Sequence, residues 1–365
     1  MNWTDFIRAH VHPMAPYAPG MREEQVCEIA GTDDLVKVSS NESPFPPFQS
    51  AQEAGARVLE ELNRYPDGGS NELKSALSAR LAVSADNLVV GNGSNELLIL
   101  LAYATVGEGD EIVYGWPSFI VYPLMGQLTG ATTVQVPLNA REEFDLDAIL
   151  DVITPATKLV LLCNPNNPTG TCYTKEQFSA FMDAVPDHVL VVVDEAYCEF
   201  VVNEQYPNAL DWFDGERPLC VLRTFSKIYS MAGARCGYGI MPHDLICALD
   251  KVRAPFNVNN VAQAMAIASL ADEAELDKRI LVNAEQRDRL QEAFDRLGIA
   301  YAPSQTNFVW IHAENAQELF DALLKKGVIV RSFGQGNALR VGIGSPEETS
   351  RIIEAFEQLV NGKLI

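Results

Sequence analysis

Between residues 88 and 241, short, mostly apolar runs alternate with segments whose apolar positions recur every three or four residues. The runs at 88–90, 111–114, 132–136, 158–163, 189–193, 219–222 and 236–240 have strand length, and 189–193 contains no polar residue at all. A strand that is apolar on both faces is buried on both faces. That requires helices above and below the sheet, and hence parallel βα crossovers. The periodic segments supply them: helices are predicted at 95–105, after Pro117, at 146–152 and at 175–184. Past Met241 the pattern changes to helices at 244–251 and 260–270 and a long charged one at 273–297. A strand at 307–311, a helix at 316–325, strands near 328–330 and 338–341 and a last helix at 346–360 follow. The predicted fold is α/β: a large domain with a mostly parallel sheet flanked by helices, plus a small α+β domain. Residues 1–40, with their prolines and glycines, read as an arm joining the small domain; 41–272 form the large domain and 273–365 the small one.

Composition narrows what such a chain can do. At 365 residues it is long for one simple core and usual for two unequal domains. Its net charge of −22 repels nucleic acid and anionic membrane, so neither is an expected partner. The same field repels anionic small molecules, so a phosphate or carboxylate substrate needs arginines close to it. The seven cysteines are odd in number and form no CxxC, which fits reduced thiols in the cytoplasm. The start, MNWTDFIRAH, is no signal peptide, and no apolar run approaches the roughly 20 residues of a membrane helix. The five histidines make no metal-binding motif, so no metal site is expected.

The chemistry gathers at strand ends, where parallel sheets bind ligands. The run 189–193 ends in Asp194-Glu195-Ala196-Tyr197, and 219–222 runs into Arg223-Thr224-Phe225-Ser226-Lys227. Taken alone, Asp194 reads as a helix cap or solvated acid and Lys227 as a surface residue. Together they fit pyridoxal phosphate (PLP): a lysine forms a Schiff base with it, and a carboxylate keeps its pyridine nitrogen protonated. Lys227 must then shuttle a proton as a neutral amine, which calls for a depressed pKa; Arg235 and partial burial act in that direction. GNGSNE at 91–96 follows a strand and opens a helix whose N–H groups suit a phosphate; the bland alternative is a tight turn capped by Ser94. A dinucleotide site is disfavoured, since Glu96 stands where a third glycine is needed.

Asp194 to Tyr197, Ser226-Lys227 with Arg235 eight residues on, and the NPNNPTG at 164–170 resemble the fold-type I PLP-dependent aminotransferases. That resemblance implies a seven-stranded sheet in the large domain. It also implies roles. Lys227, Asp194 and Tyr197 are catalytic. Gly93, Ser94 and Asn95 cradle the cofactor phosphate with Ser226 and Arg235. Asn167 and Tyr197 bond the phenolic oxygen, and Phe119 stacks on the ring, where core packing competes for its neighbour Tyr122. Asn63 to Asp67 resembles a turn whose tyrosine, here Tyr65, reaches the cofactor of the neighbouring subunit, implying a homodimer. Pro16-Tyr17, Ser40 to Pro47 around Asn41, Gln305 to Phe308 and the pair Arg331 and Arg340 resemble the histidinol-phosphate aminotransferases in particular. The implied reaction exchanges the amine of L-histidinol phosphate with 2-oxoglutarate, giving imidazole-acetol phosphate and L-glutamate in histidine biosynthesis. Tyr17, Asn41, Asn167, Arg331 and Arg340 would hold the substrates, with a solvated strand end an equal reading of Arg331. Aromatic-amino-acid aminotransferases share almost all these motifs, and threonine-phosphate decarboxylases use the same scaffold. A regulator carrying such a domain as a ligand sensor is a third class; it is disfavoured because only an irregular arm stands where a DNA-binding domain is needed.

Overall fold

The structure, a computed structural model, describes residues 3–16, 21, 23–333 and 336–362. Its strands are β1 (Val36–Lys37), β2 (Leu88–Gly91), β3 (Glu111–Trp116), β4 (Thr132–Pro137), β5 (Thr157–Cys163), β6 (Leu190–Asp194), β7 (Leu219–Thr224), β8 (Gly237–Ile240), β9 (Tyr301–Ala302), β10 (Phe308–His312), β11 (Val328–Ile329), β12 (Arg331–Ser332) and β13 (Ala338–Gly342). Seven of them form one sheet in the order β2-β8-β7-β6-β5-β3-β4. The pairs β3–β4, β3–β5, β5–β6 and β6–β7 are parallel. Strand β8 runs antiparallel to both β2 and β7, a detail that apolar patterning does not encode.

Helices on both faces bury this sheet. Leu159, Val160, Leu161 and Leu162 of β5 and Val191 to Val193 of β6 are all at most 1% exposed. Each such side chain contributes about 1.5–3 kcal/mol over leaving it in water. The helix starts follow local chemistry: Thr174 and Gln177 form a reciprocal capping box for Lys175–Ala184, and Ser345 and Glu348 another for Pro346–Asn361. Edge strand β4 is half-exposed and ends in Pro137, which has no N–H to offer a further strand.

The second sheet, β12-β13-β10-β9, is antiparallel throughout. Alternation along its strands separates two faces. Val309, Ile311, Leu339 and Val341 pack with Leu290, Phe294, Ile352 and Phe356 into a core of their own. On the opposite face Trp310 lies across from Arg340, and Arg340 from Arg331, in one cross-strand row. The amino-terminal segment, where no regular element was predicted, holds the helix Glu23–Ala30 and β1. Val26 packs against Leu324 and Ile329, and β1 pairs in parallel with β11. Two further helices, Gln49–Val58 and Asn71–Leu81, also went unpredicted; short windows with weak periodicity hide them.

One buried ion pair fixes the chain as it leaves β6. Glu195, fully buried, takes the Arg223 guanidinium at 2.7 and 2.8 Å, and its other oxygen accepts the Ala209 N–H at 2.9 Å. Its own N–H donates to the Leu222 carbonyl at 2.8 Å. Removing one member of a buried pair strands the other charge, so Glu195→Ala should cost about 3–5 kcal/mol. Urea unfolding measures this. A loss under about 1 kcal/mol, the size of an exposed pair, would show that the network does not hold the loop.

Candidate active site

A cavity of about 850 Å³ opens between the carboxyl ends of the parallel strands and the polar face of the small sheet. Asp194 ends β6, in register with Cys163 at the end of β5 and Leu222 of β7. Lys227 and Ser226 follow β7, Ser94 and Asn95 follow β2, and Asn167 follows β5. The connection after β3 brings Phe119. All of these line the cavity with Asn41, Tyr197, Arg235, Arg331 and Arg340. Tyr65 lies outside that lining: it is 81% exposed and stacks on Phe256 with ring centroids 4.7 Å apart. Tyr17 falls outside the described residues.

Asp194 is 3% exposed and accepts the Ala196 N–H at 3.2 Å and the Tyr122 hydroxyl at 3.3 Å. Burial pushes its pKa up to about 6, outweighing those hydrogen bonds and the attraction of Lys227. Burial, then Arg340 and Arg235, lower Lys227 to about 8, with Glu42 opposing. The sequence anticipated burial and Arg235; the larger cationic contribution, from Arg340, comes from the second sheet. Tyr197 receives a hydrogen bond from Asn41 Nδ2 at 2.8 Å, which leaves its own proton free to donate. Asn41 adopts φ +54°, and its carbonyl accepts Asn307 Nδ2 at 3.1 Å. Asn167 Oδ1 accepts Arg340 Nη1 at 2.6 Å, and Arg340 Nη2 donates to the Ser39 carbonyl at 2.7 Å.

At the β2 end, the cap of helix Ser94–Thr105 is Gly93 at φ +82°, not Ser94, which is already helical. The left-handed φ of Gly93 favours glycine, and a Cβ there would come within 2.5 Å of Arg235 Nη2 and push the guanidinium aside. On Gly237 a Cβ would collide with the Ser94 backbone nitrogen. Arg235 Nη1 also reaches Ser226 Oγ at 3.5 Å. This corner, with a helix N-terminus, two hydroxyls and a guanidinium, suits a phosphate. A buried carboxylate at the far wall suits a protonated ring nitrogen, and a lysine of lowered pKa lies in the same cavity. These residues fit pyridoxal phosphate.

The comparisons with known proteins agree with that geometry. Residues 33–356 match the family described as aminotransferase class I and II. The chain is 42% identical to a histidinol-phosphate aminotransferase of Moorella thermoacetica over 97% of this chain and 92% of that one. It is 40% identical to an aromatic amino acid aminotransferase of Corynebacterium glutamicum over 98% of this chain and 100% of that one. Among solved structures, a histidinol-phosphate aminotransferase from Sinorhizobium meliloti in complex with pyridoxal-5'-phosphate superposes with a TM-score of 0.89, at 28% identity, covering 98% of each chain. The site and fold define a transaminase, and the chain belongs to the class I and II aminotransferases. No described helix is long and apolar enough to cross a membrane.

The sequence does not reveal the parts played by three neighbours of the site, Glu42, Tyr122 and Trp310. Glu42 acts on Lys227 from a loop with no periodic signal. The hydrogen bond from Tyr122 to Asp194 joins positions 72 residues apart; only the spacing of Tyr122 one helical turn after Phe119 hints at a shared face. Trp310 shares a face with Arg340 through strand register alone.

The raised Asp194 pKa has a thermodynamic sign. Below the unfolded value near 3.8 the acid is protonated in both states and costs nothing. Above the folded value of about 6 it is ionised in both, and burial disfavours the folded one, so this penalty is fully present at neutral pH. Asp194→Asn should therefore raise the melting temperature of cofactor-free protein at pH 8 and leave it nearly unchanged near pH 4. Thermal unfolding at both pH values checks this. A variant less stable than wild type at pH 8 would show that the carboxylate holds the fold.

Proposed function

We propose that this transaminase uses pyridoxal phosphate, carried on Lys227, to move the amino group of L-histidinol phosphate to 2-oxoglutarate, giving imidazole-acetol phosphate and L-glutamate. The observation that carries the reading is the pairing, in one cavity, of Lys227 and Asp194 with Arg340 and Arg331 on the opposite wall. When bound, the cofactor would supply an electron-withdrawing ring able to stabilise negative charge at the substrate α-carbon. Asp194 keeps a proton on the ring nitrogen, and Tyr122 and the Ala196 N–H orient it. Lys227, lowered to about 8, is partly neutral near pH 7 and moves the α-proton. Gly93, Ser94, Asn95, Ser226 and Arg235 hold the phosphate. Tyr197 and the amide of Asn167 donate to the phenolic oxygen, and Phe119 covers the ring. Arg340, already oriented by Asn167 and Ser39, binds the substrate's anionic group together with Arg331 and Tyr17.

The assignment to a cytoplasmic homodimer in histidine biosynthesis belongs to the same proposal. Residues 41–272 carry the cofactor, and 273–365 with the arm of 1–40 close the substrate side. The dimer is supported by exposed apolar side chains at and before the turn at 63–67: Leu59, Leu62 and Tyr65, the last stacked on the exposed Phe256. Tyr65 then reaches the second subunit's cofactor.

The test is a titration of the PLP-loaded protein, followed by its visible absorption, with L-histidinol phosphate and L-phenylalanine in parallel. Response at far lower histidinol phosphate is expected. Preference for phenylalanine would replace the substrate with an aromatic amino acid, and a Lys227→Ala protein that still turned over normally would sink the assignment of the lysine. Arg340→Ala should raise KM for both L-histidinol phosphate and 2-oxoglutarate by about 10-fold or more, as loss of a charged hydrogen-bond partner does. A change confined to one substrate would refute the shared anion site.

A further inference from the structure

We infer that Glu142 is a positioning residue that fixes the indole of Trp310 as an aromatic wall of the substrate pocket, so that donors carrying a planar ring are preferred. The inference rests on the transaminase reading above and deepens it to the ring end of the donor. Trp310 occupies the same cross-strand row as Arg340 and Arg331 and lines the cavity with them. It is 6% exposed, and Phe333 meets it edge-on with centroids 5.1 Å apart and planes at 77°. Its Nε1–H donates to Glu142 Oε1 at 3.2 Å. The other carboxylate oxygen accepts His312 Nε2–H at 3.0 Å, from the next residue along the same face of β10. One carboxylate of the large domain thus grips two successive side chains of the small sheet.

Glu142 is itself held with care. It lies in a turn where Asn139 Oδ1 accepts the N–H groups of Arg141 at 2.8 Å and Glu143 at 3.1 Å. Its carbonyl accepts the Thr171 hydroxyl at 2.6 Å, which ties the turn to the loop carrying Asn167. Its φ is +59°, a conformation that a β-carbon disfavours and that glycine or asparagine would adopt more easily. Its side chain reaches the small sheet, where its two oxygens meet Trp310 and His312. With its one polar atom bonded to Glu142, the indole offers the pocket hydrocarbon and π surface. An imidazole or phenyl ring gains from that surface; glutamate has no ring and binds through Arg340, whose guanidinium donates to Asn167 and to the Ser39 carbonyl.

Steady-state kinetics of the PLP-loaded enzyme with L-histidinol phosphate, L-phenylalanine and L-glutamate as donors tests this. In Glu142→Ala, KM for the ring donors should rise about 3- to 10-fold, the worth of one well-placed aromatic contact, with kcat little changed. KM for glutamate should stay near wild type. Glu142→Gln, whose amide oxygen can accept the indole N–H, should recover most of the loss. Equal changes for ring donors and glutamate, or no change in either, would overturn the inference. If Glu142→Ala does not fold, Trp310→Leu against Trp310→Phe decides by the same ratio: preference for ring donors must fall in the leucine variant and survive in the phenylalanine one. Wild-type enzyme that transaminates none of the three donors would overturn the transaminase reading, and this inference with it.

Discussion

A carboxylate held out of water at the end of a strand buried on both faces is the condition around which this molecule is arranged. Asp194 can sit there only because its oxygens accept the Ala196 N–H and the Tyr122 hydroxyl, and even so its pKa is driven up to about 6. One residue further on, Glu195 is still more buried and is neutralised by Arg223. Adjacent acids thus receive opposite treatment. One is saturated with a guanidinium and holds the backbone. The other has no cation bonded to it among the described residues, and a protonated pyridine ring would supply a positively charged N–H there. The helices on both sides of the sheet, by excluding water, give that attraction its strength.

The acidic surface and the cationic cavity are reconciled by distance. Charges more than a Debye length apart, about 8 Å at physiological salt, are largely screened, whereas groups inside a cavity are not. Lys227, Arg235, Arg331 and Arg340 line the site against two carboxylates, Glu42 and Asp194, although the chain as a whole carries −22. Local geometry therefore decides what binds. It also sets the lysine, because the guanidinium that lowers Lys227 most, Arg340, is contributed by the other sheet.

Closure of the cavity depends on strand alternation in a small antiparallel sheet. The same period-two pattern that sends Val309, Ile311, Leu339 and Val341 into the second core turns Trp310, Arg340 and Arg331 toward the large domain. A one-residue slip of β10 or β13 would exchange the two sets, moving arginines into hydrocarbon and valines into the site. Stability and specificity are consequently written into one register. The contacts from Glu142, Asn167 and Ser39 reach that sheet from the other side.

The sequence by itself determined the βα alternation, because continuous apolar runs can be buried only between helices. It also marked Asp194, Lys227, the glycine-bearing turn at 91–96 and Arg235, since residues at strand ends and helix starts are placed by local structure alone. Capped helices such as Lys175–Ala184 were legible for the same reason. What needed the tertiary structure were contacts between distant segments whose energetics leave no local trace. The antiparallel course of β8, the hold of Tyr122 on Asp194, the action of Arg340 and Glu42 on Lys227, and the grip of Glu142 on Trp310 are of this kind. Periodicity reports which face of an element is buried. It does not report what lies across the gap, because that depends on how the two sheets are set against each other.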